Sequence, residues 1–125
     1  METKVYVELK NPIKTAGDTD GLNELRINVD YQKAGYNYFS GTHSEGGVYV
    51  YLTPVMRGGM FVRQVITGSQ HESGYKILLK PLNRKSQKQI DLMAERIIPK
   101  AQQIADLYSE CKHREVYDFI KQLIE

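Results

Sequence analysis

The sequence predicts an α+β fold: an antiparallel, meander-like sheet of about five strands with two C-terminal helices packed on one face. Three observations carry it. Residues 4–82 alternate apolar and polar side chains with a period of two, which gives a strand one buried face. From Ser86 onward the apolar period becomes that of a helix. The strands all precede the helices, an order that segregates the helices to one side of the sheet. The 125 residues make one domain, 1–125, with the sheet over 1–82 and the helices over 86–125.

Val5, Val7 and Leu9 alternate with Lys4, Tyr6, Glu8 and Lys10, which marks the first strand. Asn11-Pro12 breaks that pattern, and AGDTDG (16–21) has the composition of a turn. Leu25, Ile27 and Val29 alternate with Arg26, Asn28 and Asp30 in the second strand. QKAGYNYFSG (32–41) reads either as a long aromatic loop or as a short extra strand after a bulge at Gly35. VYVYLTPV (48–55), MFVRQVI (60–66) and YKILLKPL (75–82) complete the sheet, the first two as a hairpin turning at Arg57-Gly58-Gly59.

Ile90, Met93, Ala94, Ile97, Ile98, Ala101, Ile104, Ala105 and Tyr108 form one helical stripe, with Ser86 as its N-cap and a kink or break near Ile98 imposed by Pro99. Val116, Tyr117, Phe119, Ile120, Leu123 and Ile124 mark a last short helix.

Composition excludes more than it identifies. Apolar residues at 41% and charged residues at 26% are ordinary for a globular domain, and a net charge of +2 is too mild to identify a nucleic-acid binder. A single cysteine, Cys111, allows no internal disulfide and fits a reducing compartment. The charged, alternating N-terminus lacks the apolar core of a signal peptide, and no apolar run approaches the ~20 residues of a membrane span. The expectation is a cytoplasmic protein with no membrane association. Nine tyrosines and no tryptophan favour surfaces that are half apolar and half wet.

The motifs for catalysis are weak. GTHSEGG (41–47) and GSQHESG (68–74) each hold a histidine, a glutamate and a serine between glycines. With two strands between them the loops would share one end of the sheet, on the order of 10 Å apart at their roots. His43, Glu45, His71 and Glu72 would then converge as a metal or acid–base site, with His43 and His71 as candidate ligands. No short-spaced ligand pair supports this, and glycine, serine and threonine account for both stretches as hairpin loops. The expectation is therefore no metal, no cofactor and no enzyme. Cys111-x-His113 has no residue nearby in sequence to orient the histidine. Asp18, Asp20 and Glu24 have the wrong spacing for a calcium loop.

A surface is the better place to look. A three-residue turn at 57–59 puts Arg63 beside Tyr49 and Tyr51 and away from the helices, where an unpaired arginine would be costly to bury. The open face then carries Tyr49, Tyr51, Phe61, Arg63, Lys76 and Lys80 as candidate partner-binding residues. Tyrosine and arginine anchor protein interfaces, so a protein partner or a second copy of the chain is the leading expectation. Aromatics interleaved with cations also suit single-stranded nucleic acid, which stacks on rings while cations meet phosphates. For that alternative the basic end adds Arg57, Arg84, Lys85 and Lys88 as candidate anion contacts.

NYFSG (37–41), followed by the tyrosine-rich VYVYL strand and a proline, resembles small uncharacterised proteins of bacterial mobile genetic elements. The resemblance spans residues 25–85 and implies a bacterial, cytosolic origin without implying an activity.

Overall fold

The computed structural model describes residues 2–13, 22–37, 41–55 and 74–125. Strands β1 (Lys4–Ile13), β2 (Leu22–Gln32), β5 (Gly47–Val55) and β6 (Tyr75–Pro81) form an antiparallel sheet in that order, and β3 (Gly35–Asn37) pairs with β4 (Thr42–Ser44). Helix α1 (Gln87–Ile97), a 3-10 turn (Ile98–Lys100) and helix α2 (Ala101–Ser109) follow without a gap, and α3 (His113–Ile124) closes the chain. The fold is α+β, as the order of periodicities requires.

Alternation sets the two faces. Leu25, Ile27 and Val29 of β2 lie opposite Pro54, Leu52 and Val50 of β5, and Ile77 of β6 pairs with Val50. Leu25, Ile27, Val29, Val50, Leu52 and Ile77 meet Ile90, Met93, Ala94, Ile97, Ile104, Ala105 and Tyr108 from the helical stripe, with Val116 and Ile120 from α3, in one continuous core. Ser86 caps α1, its Oγ accepting the Gln89 N–H at 3.4 Å. Pro99 lies in the 3-10 turn, where its missing N–H and fixed φ interrupt the α-helical ladder.

After Gln32, Gly35–Asn37 form a short extra strand, in unbroken register and so without the bulge expected at Gly35. The register that pairs Glu24 with Val55 and Gln32 with Gly47 runs straight on to pair Gly35 with Ser44 and Tyr36 with His43. β2–β3 and β4–β5 are thus one long hairpin. Its outer part extends five residues past Gln32, roughly 16 Å at ~3.3 Å per residue, without β1 or β6 beside it.

The neighbour of β5 differs from the expectation. β6 pairs with β5 over Gly47–Leu52, and β2 holds the other side of β5. The edge expected to receive residues 60–66 in a hairpin is therefore occupied by β6; residues 60–66 themselves lie outside the described residues. Sequence order suggested the nearest strand, whereas the 18 residues between Val55 and Gly74 are long enough for β6 to return to the same edge. Close approach at that edge depends on glycine. A Cβ on Gly47 would stand 2.3 Å from the Lys80 carbonyl oxygen, and Gly74 takes φ +75° beside the Leu52 carbonyl.

The two edges of the sheet are treated differently. Helix α2 lies along β1, where Gln102 Nε2 donates to the Glu8 carbonyl at 3.1 Å. Ser109 Oγ accepts the Asn11 N–H at 2.6 Å. On the far edge, α3 stands beside β6, and Lys121 Nζ donates to the Leu78 carbonyl at 2.7 Å.

Candidate protein-binding groove

A groove of about 610 Å³ runs between β6 and α3, lined by residues 74–78 on one side and by His113, Tyr117 and Lys121 on the other. Those three residues recur every four positions along α3, so they share one stripe. Val116 and Ile120 point into the core from the adjoining stripe. Tyr117, one of the residues that mark this helix, is 45% exposed on the groove side. A phenol tolerates that position because its hydroxyl stays wet while its ring covers apolar surface.

The floor of the groove is held from below. The Tyr75 ring stacks on Tyr108 with centroids 5.6 Å apart, and His113 meets both rings edge-on at 5.2 and 5.3 Å. The Tyr75 hydroxyl lies 2.9 Å from His113 Nδ1. Burial pushes both phenols well above their ordinary pKa, so they keep their protons. The Tyr75 hydroxyl and His113 Nδ1 share one hydrogen bond, which holds the plane of the imidazole against the two phenol rings. The sequence found nothing near Cys111-x-His113 to orient the histidine; Tyr75, 38 residues earlier, does so.

The intervening turn has a structural explanation. Cys111 adopts φ 61° and ends α2, with its N–H on the Tyr108 carbonyl and the Lys112 N–H on the Leu107 carbonyl. That is a Schellman ending, and it aims α3 back across the edge of β6.

The electrostatics of the groove are one-sided. Lys121 brings its ammonium to the groove, Lys76 lines it with the ammonium turned across the other face of the sheet, and no carboxylate is among the lining residues. Lys121 Nζ lies 5.5 Å from the Tyr117 centroid. Lys76 Nζ donates to Gln32 Oε1 at 2.8 Å and crosses the Tyr49 ring at 4.9 Å. Neither lysine forms an ion pair with an acid among the described residues.

The sheet face away from the helices is less open than expected. Tyr49 is only 6% exposed, Thr53 is buried and Val55 is fully buried. Tyr49 lies along the sheet because its hydroxyl donates to the Glu45 carbonyl, Tyr51 flanks it at 6.2 Å, and Lys76 crosses it. Tyr51 is half-buried and donates to Gln32 Oε1 at 2.8 Å. Burial, followed by the nearby Glu45 carboxylate, raises the Tyr49 pKa; burial, Asp30 and Tyr49 raise that of Tyr51. Lys76 and Lys80 are exposed on β6, while Phe61 and Arg63 lie outside the described residues.

The two histidine loops do not share an end of the sheet. Gly46 sits beside Leu82, whereas Gly74 sits beside Leu52, so the loop roots lie at opposite ends of β5. His43 is exposed on β4 and lines a polar cleft of about 710 Å³ with Lys33, Glu45 and Pro81. His71 lies outside the described residues, among which no group of three or more His, Cys, Asp or Glu residues is placed to hold a metal.

Of the expected basic end, Arg84, Lys85 and Lys88 are exposed around the start of α1. Arg57 itself lies outside the described residues.

The chain matches no protein-family model, no curated protein and no solved structure. Among the described residues, no helix is long and apolar enough to cross a membrane. The geometry of the groove is therefore what bears on function.

Proposed function

We propose that this domain is a small non-enzymatic module that binds an extended segment of a protein partner along β6, in the groove facing α3. The reading keeps the protein partner expected from the tyrosine and arginine pattern. It moves the surface from the middle of the sheet to its edge, because Tyr49 is buried and Lys76 is not. The observation that carries it is the groove itself: among the described residues no strand lies on the outer side of β6, and the exposed Tyr117 ring stands across from residues 74–78. An exposed edge strand beside a helix is a recurring peptide-recognition geometry, in which main-chain hydrogen bonds supply affinity and flanking side chains supply selectivity. An aromatic ring on a rigid helix, such as Tyr117, is a suitable anchor for such an interface.

A photo-crosslinking amino acid placed at Tyr117 is expected to give a discrete protein adduct in nuclease-treated native lysate. Unlabelled domain should compete it away. The same probe at Leu92, also exposed but on α1, should give none. Equal adducts at both positions, or an adduct at Tyr117 that nuclease removes, would contradict the proposal; the second result would favour the nucleic-acid alternative.

A further inference from the structure

We infer that the end of the domain where the β3–β4 ribbon projects binds double-stranded DNA, the ribbon entering the major groove while cations beside its root meet the phosphates of the groove's rim. This surface is separate from the β6 groove and does not depend on it. Two placements lead to it.

The first is the ribbon. β3 and β4 continue about 16 Å beyond Gln32, with neither β1 nor β6 beside them. Tyr36 and His43 lie opposite each other on one face of the ribbon, Tyr36 52% exposed and His43 exposed as well. Thr42, next to His43, is also exposed. The major groove of B-DNA is about 12 Å wide and about 8.5 Å deep, and it admits a two-stranded β-ribbon. The projection is therefore long enough to reach base edges. Its hydroxyl and imidazole groups can donate to those edges and accept from them.

The second is the charge at the root. Gln32, Gly47 and Pro81 lie side by side where the sheet ends. The Leu82 N–H donates to the Gly46 carbonyl at 3.0 Å, so the chain leaving β6 runs against the base of the ribbon. This gathers Lys33 at the ribbon's start, Lys80 near the end of β6, Arg84 and Lys85 just after it, and Lys88 in the first turn of α1. All five are exposed, and none forms an ion pair among the described residues, whereas Lys10, Lys112 and Arg114 elsewhere pair with Glu110 and Asp118. The chain from Lys76 to Ile90 contains no acid. Glu45 is the one carboxylate lining the cleft between the ribbon and Pro81–Asn83, and Lys33 and His43 line it too.

The cations call for a polyanion, and the ribbon selects the form of it. A single strand stacks on rings presented along an open face, and Tyr49 is buried in that face. A duplex instead offers a groove to the neutral polar ribbon and phosphates to the cations at its base.

The test measures binding of the domain to a fluorescein-labelled 20-base-pair duplex by anisotropy across a salt series, with the labelled single strand and poly-glutamate as comparison probes. The duplex is expected to bind more tightly than the single strand, with a log–log salt slope of about −0.9 per phosphate neutralised. K33Q, R84Q and K85Q should each weaken duplex binding and reduce that slope by about one. K100Q, which alters an exposed lysine beyond the far end of α1, should change neither. On the ribbon, H43E should abolish the preference for duplex and H43K should tighten duplex binding. Unchanged melting temperatures show that the variants fold.

An effect of K100Q equal to that of R84Q would reduce the binding to diffuse attraction and overturn the inference. Indifference to both H43E and H43K would place the ribbon outside the groove and overturn it as well. So would single-strand or poly-glutamate binding as tight as duplex binding, or no duplex binding at low salt. The β6 groove is probed separately, through the adduct at Tyr117.

Discussion

Truncating Ile97 to alanine is expected to destabilise the domain by about 2–5 kcal/mol. Ile97 is fully buried and is the last residue of α1 before the 3-10 turn at Pro99. Its side chain belongs to the core that joins the helical stripe to Leu25, Ile27, Val50 and Leu52 of the sheet. The truncation removes transfer free energy and leaves a cavity that cannot readily collapse, because the Pro99 turn fixes the path of the chain on its C-terminal side. Domains of this size have roughly 5–15 kcal/mol of stability in total, so the change should be plain in a urea titration as a lower midpoint at unchanged slope. A loss below about half a kcal/mol would mean that the helix does not rely on this packing.

Alkaline pH should destabilise the domain through Tyr75 and Tyr108. Burial holds both phenols above their ordinary pKa, and the Tyr75 ring lies against Tyr108 and His113. The folded pKa is raised, so this contribution to stability is fully present below the unfolded pKa, at about pH 10. Above that pH the unfolded chain gives up phenolic protons that the native state retains. Stability then falls as pH rises toward the folded pKa, by up to ~1.4 kcal/mol per pH unit for each tyrosine. The Tyr108→Phe variant removes one of the two groups. It should show a shallower fall in urea midpoint above about pH 10. The same slope in wild type and variant would mean that Tyr108 titrates alike in both states.

The local patterns were legible because they depend on nearest neighbours. The alternation of Leu25, Ile27 and Val29, the stripe from Ile90 to Tyr108, the Ser86 cap and the break at Pro99 all follow from the geometry of a single strand or helix. The pairing of β5 with β6 was not legible, because it depends on how the chain closes between Val55 and Gly74. That one difference set the roots of the two histidine loops, Gly46 and Gly74, at opposite ends of β5.

The groove was hidden for the same reason. Its wall on α3 did leave a trace in the sequence, since His113, Tyr117 and Lys121 recur every four residues beside the buried positions Val116 and Ile120. The burial of Tyr49 left no comparable trace. It depends on the Glu45 carbonyl and on Lys76, which reaches across from another strand.

The central claim is that the outer side of β6, which no strand covers among the described residues, is an open edge, and amide hydrogen exchange in the free domain tests it residue by residue. Tyr75 and Ile77 lie opposite Leu52 and Val50, and their N–H groups face β5. The amides of Lys76 and Leu78 face the groove. The account predicts slow exchange at Tyr75 and Ile77 and fast exchange at Lys76 and Leu78, alternating along the strand. Equal protection at all four amides would show that the outer side of β6 is already paired, and the groove would then be closed to a partner strand.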